Sequence, residues 1–275
     1  MINASPLKNG ILNVKLTASF NIILLCFLFS GCAVRSVYIP LCQNTPLFKD
    51  DKEVKVVAYA GVNHVEAQLA HNPRKNLAIC GNVSFGSGIS IYDFAVGTYG
   101  YNSSKNWRAE IFAGYGNNSN YAYQIANYNT LINQPIKSYE VKSLYDKYYI
   151  QPAVGYFGNI RMYKMNYSFS LSARVSVLYF KTYNFKEIDY EATQQSGQNV
   201  YIHNVNYRNG IMNLLEPCFT NKVGIKNFNI ILQGQFFIPY SEQIDISYTV
   251  FSPGFLFAAG LQYNLVFKKR HATKD

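Results

Sequence analysis

The sequence predicts an all-β protein: an antiparallel transmembrane β-barrel of about ten strands, with both chain ends on the periplasmic side. Three observations lead to this prediction. Several segments alternate apolar and polar residues with a period of two, the chain contains 24 Tyr and 19 Phe but only 15% charged residues, and short and long links alternate between the segments. Soluble domains average about 25% charged residues. In a membrane barrel, lipid contacts only every second residue of a strand, which favours this composition.

Residues 1–31 have the pattern of a signal peptide. A basic stretch precedes an apolar run, residues 16–29, which is shorter than the roughly 20 apolar residues of a spanning helix. Small residues stand directly before Cys32 and resemble the lipobox of bacterial lipoproteins, although Phe29 replaces the leucine that is commonest there. We therefore predict cleavage before Cys32 and its lipidation, with palmitate among the acyl chains. The alternative is an ordinary signal peptide that is cut elsewhere.

The charge of the mature chain favours contact with lipid headgroups. Residues 1–31 contain two lysines and no acid, so their removal lowers the formal net charge from +10 to +8. The basic residues are spread along the chain as far as a basic tail at 269–275, whereas a nucleic-acid-binding surface is a clustered patch. Anionic lipid of the outer membrane is therefore an expected partner, and nucleic acid is not.

Ten segments carry the strand pattern. It is clearest at 165–179, where Tyr167, Phe169 and Leu171 alternate with serines, as in a strand with one lipid-facing side. Several of the apolar stripes end in aromatic residues, which suits the two membrane interfaces. The predicted strands are 53–62, 64–71, 77–86, 90–101, 106–116, 147–158, 163–182, 213–224, 227–238 and 254–267, within a barrel domain at 53–268.

The links between these strands predict the orientation. The links at 72–76, 102–105, 159–162 and 225–226 are short, and the long links at 117–146, 183–212 and 239–253 fall between them. Bacterial barrels have short periplasmic turns and longer outer loops. Both ends of the barrel are therefore predicted to be periplasmic, with the lipid of Cys32 in the periplasmic leaflet of the outer membrane. Residues 32–52 contain Pro40 and Pro46 and read as an irregular periplasmic tether.

Local sequence adds a family resemblance. Tyr38-Ile39-Pro40, Asn44-Thr45-Pro46-Leu47-Phe48 and the following first strand resemble small outer-membrane β-barrel lipoproteins of Bacteroidota, most of which are uncharacterised. The resemblance implies the compartment and the fold and says little about activity. Surface-exported lipoproteins of that phylum often carry an acidic signal after the lipidated cysteine. Residues 33–36 lack it, which implies an anchor that faces the periplasm.

Charged residues on the inward faces of the strands are candidates for a lumen network. A ten-stranded barrel is narrow enough to be filled by side chains, and buried charges need partners. We expect a packed salt-bridge network, and the alternative is a narrow polar pore or a small-solute pocket. Cys80 and Cys218 lie on the same faces and are expected to be packing residues. The network residues are Glu66, Asp93, Arg108, Glu110, Arg174, Glu216 and Lys222.

Tyrosines in the long links are candidates for a binding surface. With neighbouring amide side chains they suit a glycan or a protein partner, because tyrosine combines contact area with a polar group. The alternative is that the strands extend above the membrane and tyrosines cover them. The candidates are Tyr121, Tyr123, Tyr128, Tyr139, Tyr201 and Tyr207.

The sequence does not indicate an enzyme. A barrel that modifies lipid needs a nucleophile and a base, and His203 is the only one of the four histidines placed in a long outer loop. Neither the histidines nor Cys42, Cys80 and Cys218 have metal-ligand spacing, so no metal or cofactor is expected. We predict a non-enzymatic structural or binding component. The alternatives are a lipid-modifying enzyme, a small-solute channel and, for the fold, a soluble lipocalin-like barrel.

Overall fold

The computed structural model describes residues 38, 40–49, 52–60, 64–129, 134–160, 165–189, 200–242 and 254–267, all within one compact unit, residues 35–275. In the described ranges, no helix is long and apolar enough to cross a lipid bilayer. Eleven strands account for most of these residues: β1 Glu53–Ala60, β2 His64–Arg74, β3 Leu77–Gly86, β4 Ile89–Tyr101, β5 Trp107–Asn129, β6 Gln134–Ile160, β7 Met165–Asp189, β8 Val200–Tyr207, β9 Gly210–Ile225, β10 Phe228–Glu242 and β11 Gly254–Val266.

The strands form one closed antiparallel sheet. Each strand from β1 to β6 pairs with the next strand. β9 pairs with β10, β10 pairs with β11, and β11 pairs with β1. The other edge of β7 pairs with β9 over its first part and with β8 over its last part. Strands β8 and β9 therefore act as one strand that is interrupted at residues 208–209. The predicted ten-stranded antiparallel barrel is confirmed, and in the described residues closure gives β1–β7 and β9–β11 a partner strand on both edges.

The two faces of the barrel have the polarity expected in lipid. Leu171 is 53% exposed on the outside, whereas its neighbour Ser170 is 1% exposed in the lumen. A soluble lipocalin-like barrel would show the reverse, with apolar residues inside. The outward apolar residues include Val56, Leu69, Val83, Phe94, Val96, Ile111, Ile150, Val154, Leu171, Val175, Phe219, Ile230 and Leu261. We call this surface the apolar belt; it identifies the fold as a transmembrane barrel.

Aromatic residues border the apolar belt on both sides. At one border Trp107 packs on Tyr156, with ring centroids 5.1 Å apart, and at the other Tyr115 packs on Tyr148 at 5.3 Å. Trp107 and Tyr115 belong to the same strand, separated by about 26 Å at roughly 3.3 Å per residue. Once strand tilt is allowed for, this length spans most of the apolar band of an outer-membrane barrel.

The barrel has two distinct ends. We call the first the short-turn end: it contains the start of β1, the end of β11 and the turns at 75–76, 102–106 and 226–227. Asn76, Lys105 and Lys226 adopt positive φ there, which suits tight turns. The opposite end, where β5, β6 and β7 project furthest, is the long-hairpin end. Both ends of the barrel domain lie at the short-turn end, as predicted.

Two of the predicted long loops are largely strand. β5 continues to Asn129 and β6 begins at Gln134, so most of 117–146 is a paired hairpin, and β7 and β8 cover much of 183–212. The reason is that extended backbone outside the membrane still pairs its amide groups when a partner strand lies beside it. Residues 243–253 of the third predicted loop lie outside the described residues.

Candidate functional site

The lumen contains a segment of the same chain. Residues 38 and 40–48, here called the inserted segment, have no regular secondary structure and are buried. The prediction of a periplasmic tether at 32–52 is therefore incorrect for these residues, although their irregular structure was expected. The physical reason is that the lumen of a ten-stranded barrel must be filled, and its polar wall offers partners for an irregular backbone. This is the candidate site.

Wall side chains satisfy the backbone of the inserted segment. Gln68 donates from Nε2 to the Cys42 carbonyl at 2.8 Å, and Gln151 does the same to the Asn44 carbonyl at 2.8 Å. The backbone amide of Cys42 donates in turn to Glu66 Oε2 at 3.0 Å. An irregular segment has no ladder of its own, so these bonds replace the backbone pairing that a strand would have.

The first part of the inserted segment packs among aromatic rings. The Tyr38 hydroxyl donates to Glu216 Oε1 at 2.6 Å. Its ring lies 6.1 Å from that of Tyr145 and 5.9 Å from that of Phe237, within a buried cluster that also includes Phe180. Tyr38 is thus held by a charge-assisted hydrogen bond and by ring packing, both of which fix its position.

The middle of the inserted segment is joined to the wall by amide and hydroxyl groups. Gln43 and Gln233 form a reciprocal pair: the backbone N–H of Gln43 donates to Gln233 Oε1 at 2.8 Å, and Gln233 Nε2 donates to the backbone carbonyl of Gln43 at 2.9 Å. The Thr45 hydroxyl accepts a hydrogen bond from Ser170 at 3.2 Å and donates to Thr220 at 3.5 Å. These contacts tie the segment to three different strands.

The last part of the inserted segment bends and packs near the short-turn end. Leu47 has φ 49°, and its side chain lies over Gly155, where an added Cβ would stand 2.6 Å from Leu47 Cδ2. The Phe48 ring lies 5.6 Å from Tyr99, and the Lys49 ammonium lies 4.6 Å from the centre of the Phe157 ring. A side chain at position 155 would therefore have to displace the end of the Leu47 side chain.

The seven predicted network residues are all buried in the lumen, but they do not form a single ion-pair network. Asp93 lies 3.7 Å from Arg174 Nη1 and 3.4 Å from Lys147 Nζ. Three others contact the inserted segment instead: Glu66 and Glu216 as described above, and Lys222, whose ammonium donates to the Thr45 carbonyl at 2.6 Å. The inserted segment thus takes the place of several expected ion-pair partners.

Arg108 and Glu110 lie closer to the short-turn end. The Arg108 guanidinium lies 4.6 Å from the Tyr101 ring centroid and 5.2 Å from that of Tyr99. Within the described part of the chain, its nitrogens have no hydrogen-bond partner. A cavity of ≈ 490 Å³ lies beside it, lined also by Lys49, Ser104, Lys105 and Tyr156. A second cavity, of ≈ 160 Å³, lies between Lys49, Glu53, Lys222 and Gln262.

Sequence reasoning missed several lumen residues. Lys147, Gln151, Gln233 and Gln235 are buried on inward faces; the three glutamines carry no charge that would mark them as candidates, and Lys147 stands at the limit of the predicted strand 147–158. The Arg174 guanidinium donates to Gln151 Oε1 at 2.9 and 3.0 Å, so a glutamine is its nearest partner. No local pattern distinguished the inserted segment from a tether.

The loop tyrosines lie on strands where the structure describes them. Tyr121 is 45% exposed, whereas Tyr139 is 9% exposed and stacks on Phe185 at 5.9 Å, so Tyr139 is a packing residue rather than a surface. The side chains of Tyr123, Tyr128, Tyr201, Tyr207 and His203 lie outside the described residues, as do Cys32 and His271.

The described residues contain no group of three or more His, Cys, Asp or Glu side chains that could hold a metal ion. Cys42, Cys80 and Cys218 are buried free thiols. A thiol in such surroundings behaves as a small apolar side chain.

Comparisons with known proteins add a similarity among solved structures. No protein-family model and no curated protein matches the chain. Among solved structures, the chain is similar to a protein described as "KdgM porin", with 8% identity, a TM-score of 0.34, and coverage of 78% of this chain and 99% of that one. The fold assignment above depends on the strand pairing of this chain and not on that similarity.

Proposed function

We propose that this protein is a non-enzymatic outer-membrane barrel lipoprotein whose lumen is closed by its own inserted segment. In this proposal it serves as a structural or binding component that presents the projecting strands β5–β8 to the exterior. The observation that carries the proposal is the occupied lumen: polar wall groups that would line a pore instead bind the backbone of residues 42–45 and 47. A permanently open channel would need these groups to face water.

The outer-membrane location is supported by the apolar belt, its aromatic borders and the lipoprotein-type signal sequence. β-Barrels of this kind are exported through the periplasm. Intact-mass measurement of the membrane-extracted protein should find acyl chains on Cys32 as the first residue. A free N-terminus at another residue would contradict the lipoprotein part of the proposal and leave the barrel part intact.

The test of closure is electrical. Purified wild-type protein in planar bilayers should show no steady ion conductance, because residues 38 and 40–48 fill the lumen. Deletion of residues 38–48 should produce discrete conductance steps, since the remaining wall carries Gln151, Lys222, Gln233 and other polar side chains. The matched control is deletion of residues 33–37, which should remain silent. Steady wild-type conductance equal to that of the 38–48 deletion would overturn the proposal.

The deletion could fail to insert, so a second variant keeps the test decisive. Gln233→Ala removes both hydrogen bonds to the backbone of Gln43 and leaves the barrel strands unchanged. It should raise the frequency of brief openings relative to wild type. Gln235→Ala, two residues along the same face, is the control, because Gln235 donates to Glu216 and not to the segment's backbone.

A small-solute channel is the second candidate, and one observation favours it. The inserted segment is held by non-covalent contacts alone among the described residues, and the wall behind it is polar. If wild-type protein opens under an applied potential while a variant with the segment cross-linked to the wall does not, a gated channel replaces the closed barrel as the better description.

A further inference from the structure

The inserted segment has a direction. Strand β9 runs from the long-hairpin end at Gly210 to the short-turn end at Ile225. Tyr38 contacts Glu216 on this strand, and Thr45 contacts Thr220 and Lys222, further towards the short turn. The chain therefore descends the lumen from the long-hairpin end to the short-turn end.

Two other strands give the same direction. Strand β10 runs the opposite way to β9, and it meets Tyr38 at Phe237 but Gln43 at Gln233, four residues nearer the short turn. At the bottom of the lumen, the Lys49 amide donates to Glu53 Oε2 at 2.9 Å, and Glu53 is the first residue of β1. The inserted segment thus approaches the short-turn end at its last residues, and Lys49 follows it there, four residues before the first strand begins.

Tyr38 lies at the far border of the apolar belt. Its ring partner Phe237 is flanked by the outward residues Phe236 and Ile238, the last part of the belt on β10. Its other ring partner, Tyr145, packs on Phe180 at 4.9 Å, and Phe180 follows Tyr179 at the end of the apolar stripe of β7. The first described residue of the chain is therefore separated from the short-turn end by the depth of the barrel.

The reach of the preceding residues is limited. Cys32 stands six residues before Tyr38, and six residues span at most about 22 Å at roughly 3.3–3.6 Å each. The apolar band of an outer-membrane barrel is about 25 Å tall, and the inserted segment already occupies the lumen along the path back. A lipid on Cys32 cannot return from Tyr38 to the leaflet at the short-turn end.

We propose that the chain threads its own barrel, so that the residues before Tyr38 leave at the long-hairpin end and the acyl chains of Cys32 enter the leaflet on that side. With short turns in the periplasm, that leaflet is the outer one, and the mature N-terminus lies on the cell surface, opposite the end of β11. This rests on the outer-membrane location and lipidation proposed above, and it replaces the periplasmic anchor expected from the sequence. The barrel must then close around the segment, because an acylated end is too large to pass this lumen afterwards.

The test is the side from which residue 36 can be labelled. In a background in which Cys42, Cys80 and Cys218 are alanine, Ser36→Cys is treated with a membrane-impermeant maleimide on intact cells. It should label to the same extent as Asn129→Cys at the long-hairpin end, while Ser104→Cys, in a short turn, should label only after lysis. Labelling of Ser36→Cys that follows the Ser104→Cys pattern would overturn the threaded arrangement.

A second measurement covers the case in which lipid shields residue 36. A specific protease site inserted between residues 35 and 36 should be cut by protease added to intact cells, and the barrel should lose its acyl mass. Cutting only after lysis would again overturn the proposal. Failure of the threading proposal is distinguishable from failure of the proposed function. If the wild-type barrel does not conduct and residue 36 is periplasmic, the lumen is closed but the chain does not thread the barrel. If the wild-type barrel conducts and residue 36 is on the cell surface, the chain threads the barrel but the lumen is not closed.

Discussion

Among single residues, Asp93 has the most demanding surroundings. Its carboxylate is buried between the Arg174 guanidinium and the Lys147 ammonium, at 3.7 and 3.4 Å. Removing one partner of a buried ion pair leaves an uncompensated charge, which typically costs 3–5 kcal/mol. We therefore expect Asp93→Asn to lower the free energy of unfolding by about 3–5 kcal/mol, measured by urea unfolding in lipid vesicles.

The control for Asp93→Asn is the preceding residue. Tyr92 points outward and is 51% exposed, so Tyr92→Phe should change the free energy of unfolding by less than about 0.5 kcal/mol, as surface substitutions usually do. If the two variants unfolded at the same urea concentration, the two cations would not depend on Asp93.

Leu171 tests the assignment of faces. It lies on the apolar belt, and a charged residue at the bilayer midplane of a barrel costs roughly 2–4 kcal/mol. Leu171→Arg should therefore destabilise the folded barrel in bilayers by about that amount, while Leu171→Ile should be tolerated. Ser170→Arg should be limited differently, because Ser170 donates to the Thr45 hydroxyl and a larger side chain must displace the inserted segment. Equal tolerance of arginine and isoleucine at 171 would contradict the strand register.

Among the structural elements, the inserted segment is the one whose position is most easily fixed covalently. The Thr45 and Thr220 hydroxyls are 3.5 Å apart, so the sulfurs of cysteines at these positions need only a small movement to reach the S–S bond length of about 2 Å. With the native cysteines at 42, 80 and 218 replaced by alanine, the double variant Thr45→Cys, Thr220→Cys should form a disulfide on oxidation. Mass spectrometry of a tryptic digest should find residues 45 and 220 in one linked peptide pair.

The single variants Thr45→Cys and Thr220→Cys are the controls, and neither should give a linked pair. Failure of the double variant to cross-link in folded barrel would show that residue 45 spends little time at the wall. The same variant serves the conductance test. Because the cross-linked segment cannot leave the lumen, this variant should show no ion conductance at any applied potential.

The hairpin of β5 and β6 shows how far an element can be predicted. β5 begins at Trp107, where the period-two pattern is clear, but it continues well past the predicted limit to Asn129. β6 likewise begins at Gln134, well before the predicted start at 147. These additional residues were predicted as a loop. Outside the membrane no lipid requires an apolar face, so the alternation of apolar and polar residues weakens although the backbone pairing continues. Tyr139 illustrates the consequence: a residue proposed for binding instead packs on Phe185.

For the whole molecule, we predict that the protein does not change the lipids of the outer membrane, because we expect it not to be an enzyme. Acyl transfer or hydrolysis requires a nucleophile, a base and an orienting group in contact, and the sequence suggests only His203 as a base. Mass spectra of outer-membrane lipids should be the same for cells that express wild-type protein, the His203→Ala variant or no protein. A deacylated or transacylated lipid that appears only with wild-type protein would make the enzyme the preferred function.

The sequence by itself determined which residues face lipid and which face the lumen. Lipid surrounds every strand equally, so a local pattern such as Ser170 followed by Leu171 is enough to assign faces, and counting such patterns yields ten strands. What fills the lumen was decided by the tertiary structure alone. Tyr38 and Glu216, 178 residues apart, are in contact only because closure of the barrel makes the inward faces of all strands surround the same lumen. Partners inside the lumen therefore depend on closure and strand stagger, which no local pattern records.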